Sequence, residues 1–315
     1  MRYLITALAI SLAAPASADT LGPYTDLLVF GDSLSDPGNI DQLTQGTTPY
    51  PEYYPNGQFT NGDTWAVQLG SGLGENFAFG GARAVDNGDA VPDLFAQIDI
   101  FDAVAASLGD NPLTAIWTGG NDMRDITFGF ATQTISFEDA FARAAEVATT
   151  IAGSVAKLAT TYGLDDFVVF VIPDISVVPA ISGTPLEGFV SALSDFANQT
   201  LVSALEVVSL TLPDIEIQMF DSNAIVRGII ADPSIAGVTN TSGQCLIQTT
   251  DFTSYCGDEN ASDYLFFDDL HPTEGVHTLI ADAFAAQVVP LPGGMSLALG
   301  GFALLGFAAR RKRAA

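Results

Sequence analysis

Residues 29–36 read VFGDSLSD, an apolar run that breaks at a glycine and sets Asp32 and Ser33 on the bend that follows. Gly, Asp and Ser are ordinary turn and cap residues, yet a serine at the end of a buried strand is also where a nucleophile would sit. A serine hydroxyl is a poor nucleophile at neutral pH and needs a base beside it, most often imidazole. The chain has two histidines, which narrows the choice sharply. His271 stands in FFDDLHPTEG, with Asp268 three positions before it and Asp269 two before it. A carboxylate must hold one ring nitrogen so that the other can take the serine proton, and a D-x-x-H spacing lets one short loop supply both partners. His277 lies in the helical pattern GVHTLIADAF without a comparable acid, and reads as a surface or packing histidine.

Attack by serine on a carbonyl also needs donors for the oxyanion that forms; losing one such donor costs about 2.7–4 kcal/mol of transition-state stabilisation. ENFAFGGARA offers Gly80-Gly81, and IWTGGNDM offers Gly119-Gly120-Asn121-Asp122. Each Gly-Gly pair alone is a common turn. Together, GDSLSD, AFGGA, GGND and DDLHPT follow the order of four sequence blocks, and from Gly31 to Thr273 the chain resembles the SGNH/GDSL hydrolase family. The resemblance implies a serine esterase or lipase that needs no metal or organic cofactor. In it Ser33 is the nucleophile and gives its own N–H to the oxyanion. Gly81 adds a second backbone N–H, with Gly80 the alternative if the turn is registered one residue earlier, and Asn121 adds its side-chain amide. His271 is general base and then general acid, and Asp268 orients it; Asp269 falls one place off the family's spacing.

QFTNGDTWAVQLG and SYCGDENASDYLFFDDLHPT further resemble segments of the lipase-like branch of that family. No G-x-S-x-G pentapeptide surrounds Ser33, which argues against the nucleophile elbow of the α/β-hydrolases. Carbohydrate acetylesterases and acyltransferases share the same five positions, and a catalytically silent, surface-anchored binding protein would keep the fold. The aromatic loop Tyr50–Phe59 serves acyl chains, sugars or plain packing equally well. Asp32 reads as a turn cap, and Asp36 and Asn39 as the start of the next helix.

The elements that must position these residues alternate along the chain. Strand candidates are Asp26–Gly31, Leu113–Thr118, Asp166–Ile172 and Ile215–Phe220; helix candidates are Thr64–Gly70, Val91–Leu108, Phe137–Tyr162, Pro185–Ser209 and Pro272–Val288. The stripe Phe137, Ala140, Phe141, Ala144 and Val147 has helical period. Strands that alternate with helices predict a parallel sheet covered on both faces. Ser33 and Asn121 then lie just past strand ends, where ligands of such sheets bind. The expected fold class is α/β, a three-layer α/β/α sandwich around a mainly parallel, flavodoxin-like sheet of about five strands.

Both ends carry other patterns. Residues 1–18 join Arg2, the apolar stretch YLITALAISLAA and the small-residue site Ala16-Ser17-Ala18, the form of a secretory signal peptide. Residues 289–315 join a VPLP motif, the apolar run Gly293–Ala309 and the basic cluster Arg310-Arg311-Lys312-Arg313. That tail resembles PEP-CTERM-type sorting signals, which implies an inner-membrane-tethered intermediate, a sorting protease as partner, and delivery to the cell surface, the outer membrane or the medium. A plain single-span anchor is the other reading. The hydrolase domain is expected over 19–288. It holds all thirty-seven acidic residues against five basic ones, a formal charge near −32. So acidic a body repels phosphate backbones and excludes nucleic acid as a partner. Cys245 and Cys256, close together in an exported chain, are expected to form a disulfide.

Overall fold

The computed structural model describes residues 21–249 and 251–289. The signal peptide expected at 1–18 and the tail from residue 290 onward lie outside the described residues. Among the described residues, no helix is long and apolar enough to cross a membrane.

In chain order, β1 (Asp26–Gly31) is followed by α1 (Asn39–Leu43), α2 (Trp65–Gln68), α3 (Leu94–Phe101), β2 (Pro112–Trp117), α4 (Gly120–Ala131), α5 (Phe137–Tyr162), β3 (Asp166–Phe170), α6 (Glu187–Thr211), β4 (Glu216–Phe220) and α7 (Ser222–Ala231). A small β-rich excursion comes next, with β5 (Asn240–Gln244), β6 (Leu246–Gln248), β7 (Thr253–Tyr255), α8 (Asp258–Ala261) and β8 (Tyr264–Phe266); α9 (Glu274–Val288) returns to the sheet.

The four apolar runs form one parallel sheet in the order β1-β2-β3-β4, with Asp26 opposite Pro112, Leu113 opposite Asp166, and Asp166 opposite Glu216. The ladder thus has four strands where about five were expected. The fifth place, outside β1, is taken by the extended segment 75–79. Val29 N–H donates to Glu75 O, Phe77 N–H to Val29 O and Phe79 N–H to Gly31 O, at 3.2, 2.7 and 3.2 Å. Asn76 diverts this segment from a regular strand. Its amide donates to Ser35 O, and its side-chain oxygen accepts the N–H of Ala78, a local alternative to the ladder.

Helices cover both faces, giving the three layers. On one side α3, α5 and α6 pack together; Phe30 of β1 meets Phe101 of α3, and Phe101 meets Tyr162 of α5. On the other side Trp65 of α2 and Phe284 of α9 lie against Phe170 of β3, which stacks on Trp117 of β2. The longest helix shows why the bounds are sharp. Ser136 and Asp139 form a reciprocal capping box at the start of α5, Gly163 ends it at φ 73°, and Ala140, Ala144, Val147, Ile151, Val155 and Leu158 form its buried stripe.

The disulfide forms between Cys245 and Cys256, with Cα atoms 5.0 Å apart, across the antiparallel pair β6–β7. It braces the excursion that leads into the His271 loop.

Candidate active site

β1 delivers Ser33 through a bend that its neighbours over-determine. A Cβ on Gly31 would lie 2.2 Å from Trp117 O, so only glycine lets the strand end come this close to β2. The buried Gln97 side chain clamps both backbone groups of Gly31, accepting its N–H at 2.9 Å and donating to its carbonyl at 2.7 Å. Asp32 N–H then donates to Trp117 O, and Asp32 Oδ1 accepts the N–H of Leu34, the turn-capping part expected of it.

The bend leaves Ser33 only 4% exposed, with its Oγ 2.7 Å from Nε2 of His271. His271 Nδ1 is 2.7 Å from Asp268 Oδ2. Asp268 Oδ1 accepts the N–H groups of Leu270 and His271 at 2.8 and 2.6 Å, so the D-x-x-H loop folds on its own carboxylate. Asp269 is exposed and makes no hydrogen bond to His271 through its side chain; its carbonyl accepts the N–H of Ala180. A serine, a histidine and an aspartate from opposite ends of the sequence thus stand in one hydrogen-bonded line.

Two more loops converge on that line. Asp36 accepts four backbone N–H groups, from Gly38, Asn39, Ile40 and Gly80. It therefore ties the helix start expected there to the loop bearing Gly80 and Gly81. The N–H of Gly80 is committed to Asp36 at 2.6 Å, and a Cβ at Gly80 would collide with the Phe59 ring. Gly81, at φ 87°, makes no hydrogen bond through its N–H among the described residues. From the start of α4, Asn121 donates from Nδ2 to Ala82 O at 2.9 Å and faces the same cleft as Ser33 and His271. Asp122 beside it accepts the N–H groups of Ala84 and Val85. The glycine loop and α4 are thereby locked together.

The cleft itself is apolar. Trp117, Pro173, Ile175, Val178, Val226, Phe266, Leu270 and Ile280 surround Ser33, Asn121 and His271. At its edge Arg227 pairs with the buried Asp174 at 2.5 Å. His277 is buried rather than at the surface: its Nδ1 accepts Trp65 N–H, and burial pushes its pKa down to about 3. It packs α9 against α2 outside the line of three.

Electrostatics follow from burial and pairing. Burial works against the charged form of His271, but the Asp268 charge and hydrogen bond outweigh it, so its pKa is raised above the ordinary 6.5. Burial likewise opposes ionised Asp268, and the His271 charge with the His271 and Tyr54 hydrogen bonds prevails, holding it below its ordinary value. Three other buried carboxyls move the opposite way, chiefly through burial: Asp32 up to about 7, Asp36 and Asp122 up to about 6.

A raised native value means that the folded chain keeps protons which the unfolded chain, with carboxyls near 3.8, has already lost. Between those values stability falls as pH rises. His271 acts in the same sense, and His277, held neutral, opposes it below pH 6.5. The three carboxyls and His271 outnumber it. The thermal midpoint is expected to fall from pH 5 to pH 8, and a midpoint that climbs across this window would contradict the assignment.

Sequence reasoning missed Gln97, Asp122 and the Tyr54 contact with Asp268. Two of these have a usable signal: a lone polar residue on an otherwise apolar helix face (Gln97) and an acid at a helix start (Asp122).

With this geometry in place, residues 27–284 match the family described as GDSL-like Lipase/Acylhydrolase, and the chain belongs to that family. The thermolabile hemolysin of Vibrio parahaemolyticus is 23% identical over 274 residues, covering 81% of this chain and 62% of that protein. Esterase EstA of Pseudomonas aeruginosa is 26% identical over 332 residues, covering 90% of this chain and 49% of EstA. The chain thus spans about half of EstA and somewhat under two thirds of the hemolysin. Among solved structures, phospholipase A1 of Streptomyces albidoflavus aligns over 82% of this chain and 98% of its own, at 16% identity and a TM-score of 0.41.

Proposed function

We propose that the chain is an exported serine esterase that hydrolyses carboxylic esters with an apolar acyl group through an acyl-enzyme on Ser33. The observation that carries this reading is the continuous line from Ser33 Oγ through His271 to Asp268, with 2.7 Å at each link. His271 Nε2 takes the Ser33 proton as Oγ attacks the ester carbonyl. The negative oxygen is received by the N–H groups of Ser33 and Gly81 and by Nδ2 of Asn121. Gly81 is preferred to Gly80 because the Gly80 N–H is already engaged by Asp36. The alcohol departs with the proton from Nε2, and water repeats the sequence to release the acid. The disulfide between Cys245 and Cys256 supports an oxidising compartment, in line with export.

The apolar lining favours acyl groups longer than acetyl. Each buried methylene contributes about 0.8 kcal/mol, so two of them correspond to about tenfold. Across p-nitrophenyl esters, kcat/KM is expected to rise by about that factor from acetate to butanoate, with acetylated xylan a poor substrate. A preference for acetylated xylan over the butanoate ester would instead make the protein a carbohydrate acetylesterase, and the absence of any ester turnover would overturn the reading.

A further inference from the structure

Tyr54 lies in the aromatic loop after the nucleophile, and its ring is turned inward, 7% exposed. Its hydroxyl donates to Asp268 Oδ2 at 2.7 Å, the same oxygen that faces His271 Nδ1. The ring stands edge-on to Phe267 at 5.2 Å, and it shares a small buried cluster with Cys245 and Leu246 of the disulfide-braced excursion. Phe59 of the same loop sits 5.1 Å from the His271 ring. Asp268 therefore receives four donors: two backbone N–H groups on Oδ1, and the phenol and the imidazole on Oδ2.

We propose that Tyr54 is a positioning residue of this site: its hydroxyl fixes the Asp268 oxygen that faces His271 and tempers the pull of the carboxylate on the imidazole. This rests on the assignment of Ser33, His271 and Asp268 given above. The aromatic loop then serves the catalytic base and leaves the substrate to the apolar cleft. A carboxylate oxygen with two donors is a weaker acceptor for each than one with a single donor. Without the phenol, Asp268 holds the imidazolium more strongly, and His271 loses its proton only at higher pH.

Other charges around the pair remain in place in such a variant. Asp32 faces His271 from the bend after β1, Asp269 from its own loop and neutral His277 from α9, while Arg124 of α4 acts on Asp269.

The test is the pH profile of kcat/KM for a p-nitrophenyl ester, with kcat and KM separated, in Tyr54→Phe and Tyr54→3-fluorotyrosine. In Tyr54→Phe, kcat should fall about five- to tenfold, the scale of one ordinary hydrogen bond, with KM little changed. Its acid limb should move to higher pH. The fluorinated phenol is a stronger donor with nearly the same packing, so its acid limb should move to lower pH; it also carries the test if Tyr54→Phe fails to fold. Limbs that stay put in the folded variants, even with reduced stability or rate, would mean a packing role and overturn the inference. Ser33→Ala run alongside separates the two assignments. Turnover in Ser33→Ala sinks the catalytic reading itself, whereas a silent Ser33→Ala with unaltered Tyr54 variants sinks only the part given to Tyr54.

Discussion

Ser33→Ala should lower kcat for a p-nitrophenyl ester by at least about 10⁴-fold, since removing the nucleophile of a serine triad leaves only binding and oxyanion stabilisation. The fold should survive. The Ser33 side chain makes one contact of consequence, with His271 Nε2, while Gln97, Trp117 O and the Asp32 carboxylate hold the bend without it. Thermal unfolding of the variant should match the parent or lie slightly above it, because buried polar groups at active sites are held at some cost in stability. Circular dichroism and initial rates on the same preparation check both halves. A variant that turns over normally would remove Ser33 from the chemistry, and one that fails to fold would make it a structural residue.

Asp268→Asn should cost about 10³–10⁴-fold in kcat, because the amide can neither stabilise the imidazolium nor impose the tautomer that leaves Nε2 free to accept a proton. The acid limb of the remaining activity should move to lower pH, since the main group raising the His271 pKa has lost its charge. Asp269→Asn should change kcat by less than about fivefold, the scale of an exposed charge acting through solvent. Stopped-flow assays of the two variants decide between neighbouring acids that the sequence places one residue apart. A severe loss at Asp269 with a mild one at Asp268 would reverse the assignment.

The framework was readable where chemistry and periodicity coincide. β1 stands where its apolar run predicts, and α5 matches to both ends because a capping box and a left-handed glycine bracket an unbroken apolar stripe. The line of three was readable because only two histidines exist and one has an acid at the right spacing. Other parts carried no local signal. α4 opens on Gly119-Gly120, which reads as a turn, and α7 carries Gly228 among β-branched residues; tertiary packing makes both helical. The helix expected over Val91–Leu108 shortens to Leu94–Phe101, with Pro92 and the capping position Asp93 just before it. The choice between Gly80 and Gly81 turns on which N–H Asp36 captures, a contact across 44 residues. The Tyr54 contact spans 214 residues between two irregular loops, where no period links the partners.

Trapping the acyl-enzyme tests whether Ser33 is the nucleophile. During turnover of p-nitrophenyl butanoate, the reaction is quenched in acid and the digested protein is weighed peptide by peptide. One butanoyl group is expected on the peptide containing Ser33, absent when Ser33 is alanine. A butanoyl group on any other residue, or an initial product burst with Ser33 unmodified, would contradict that role.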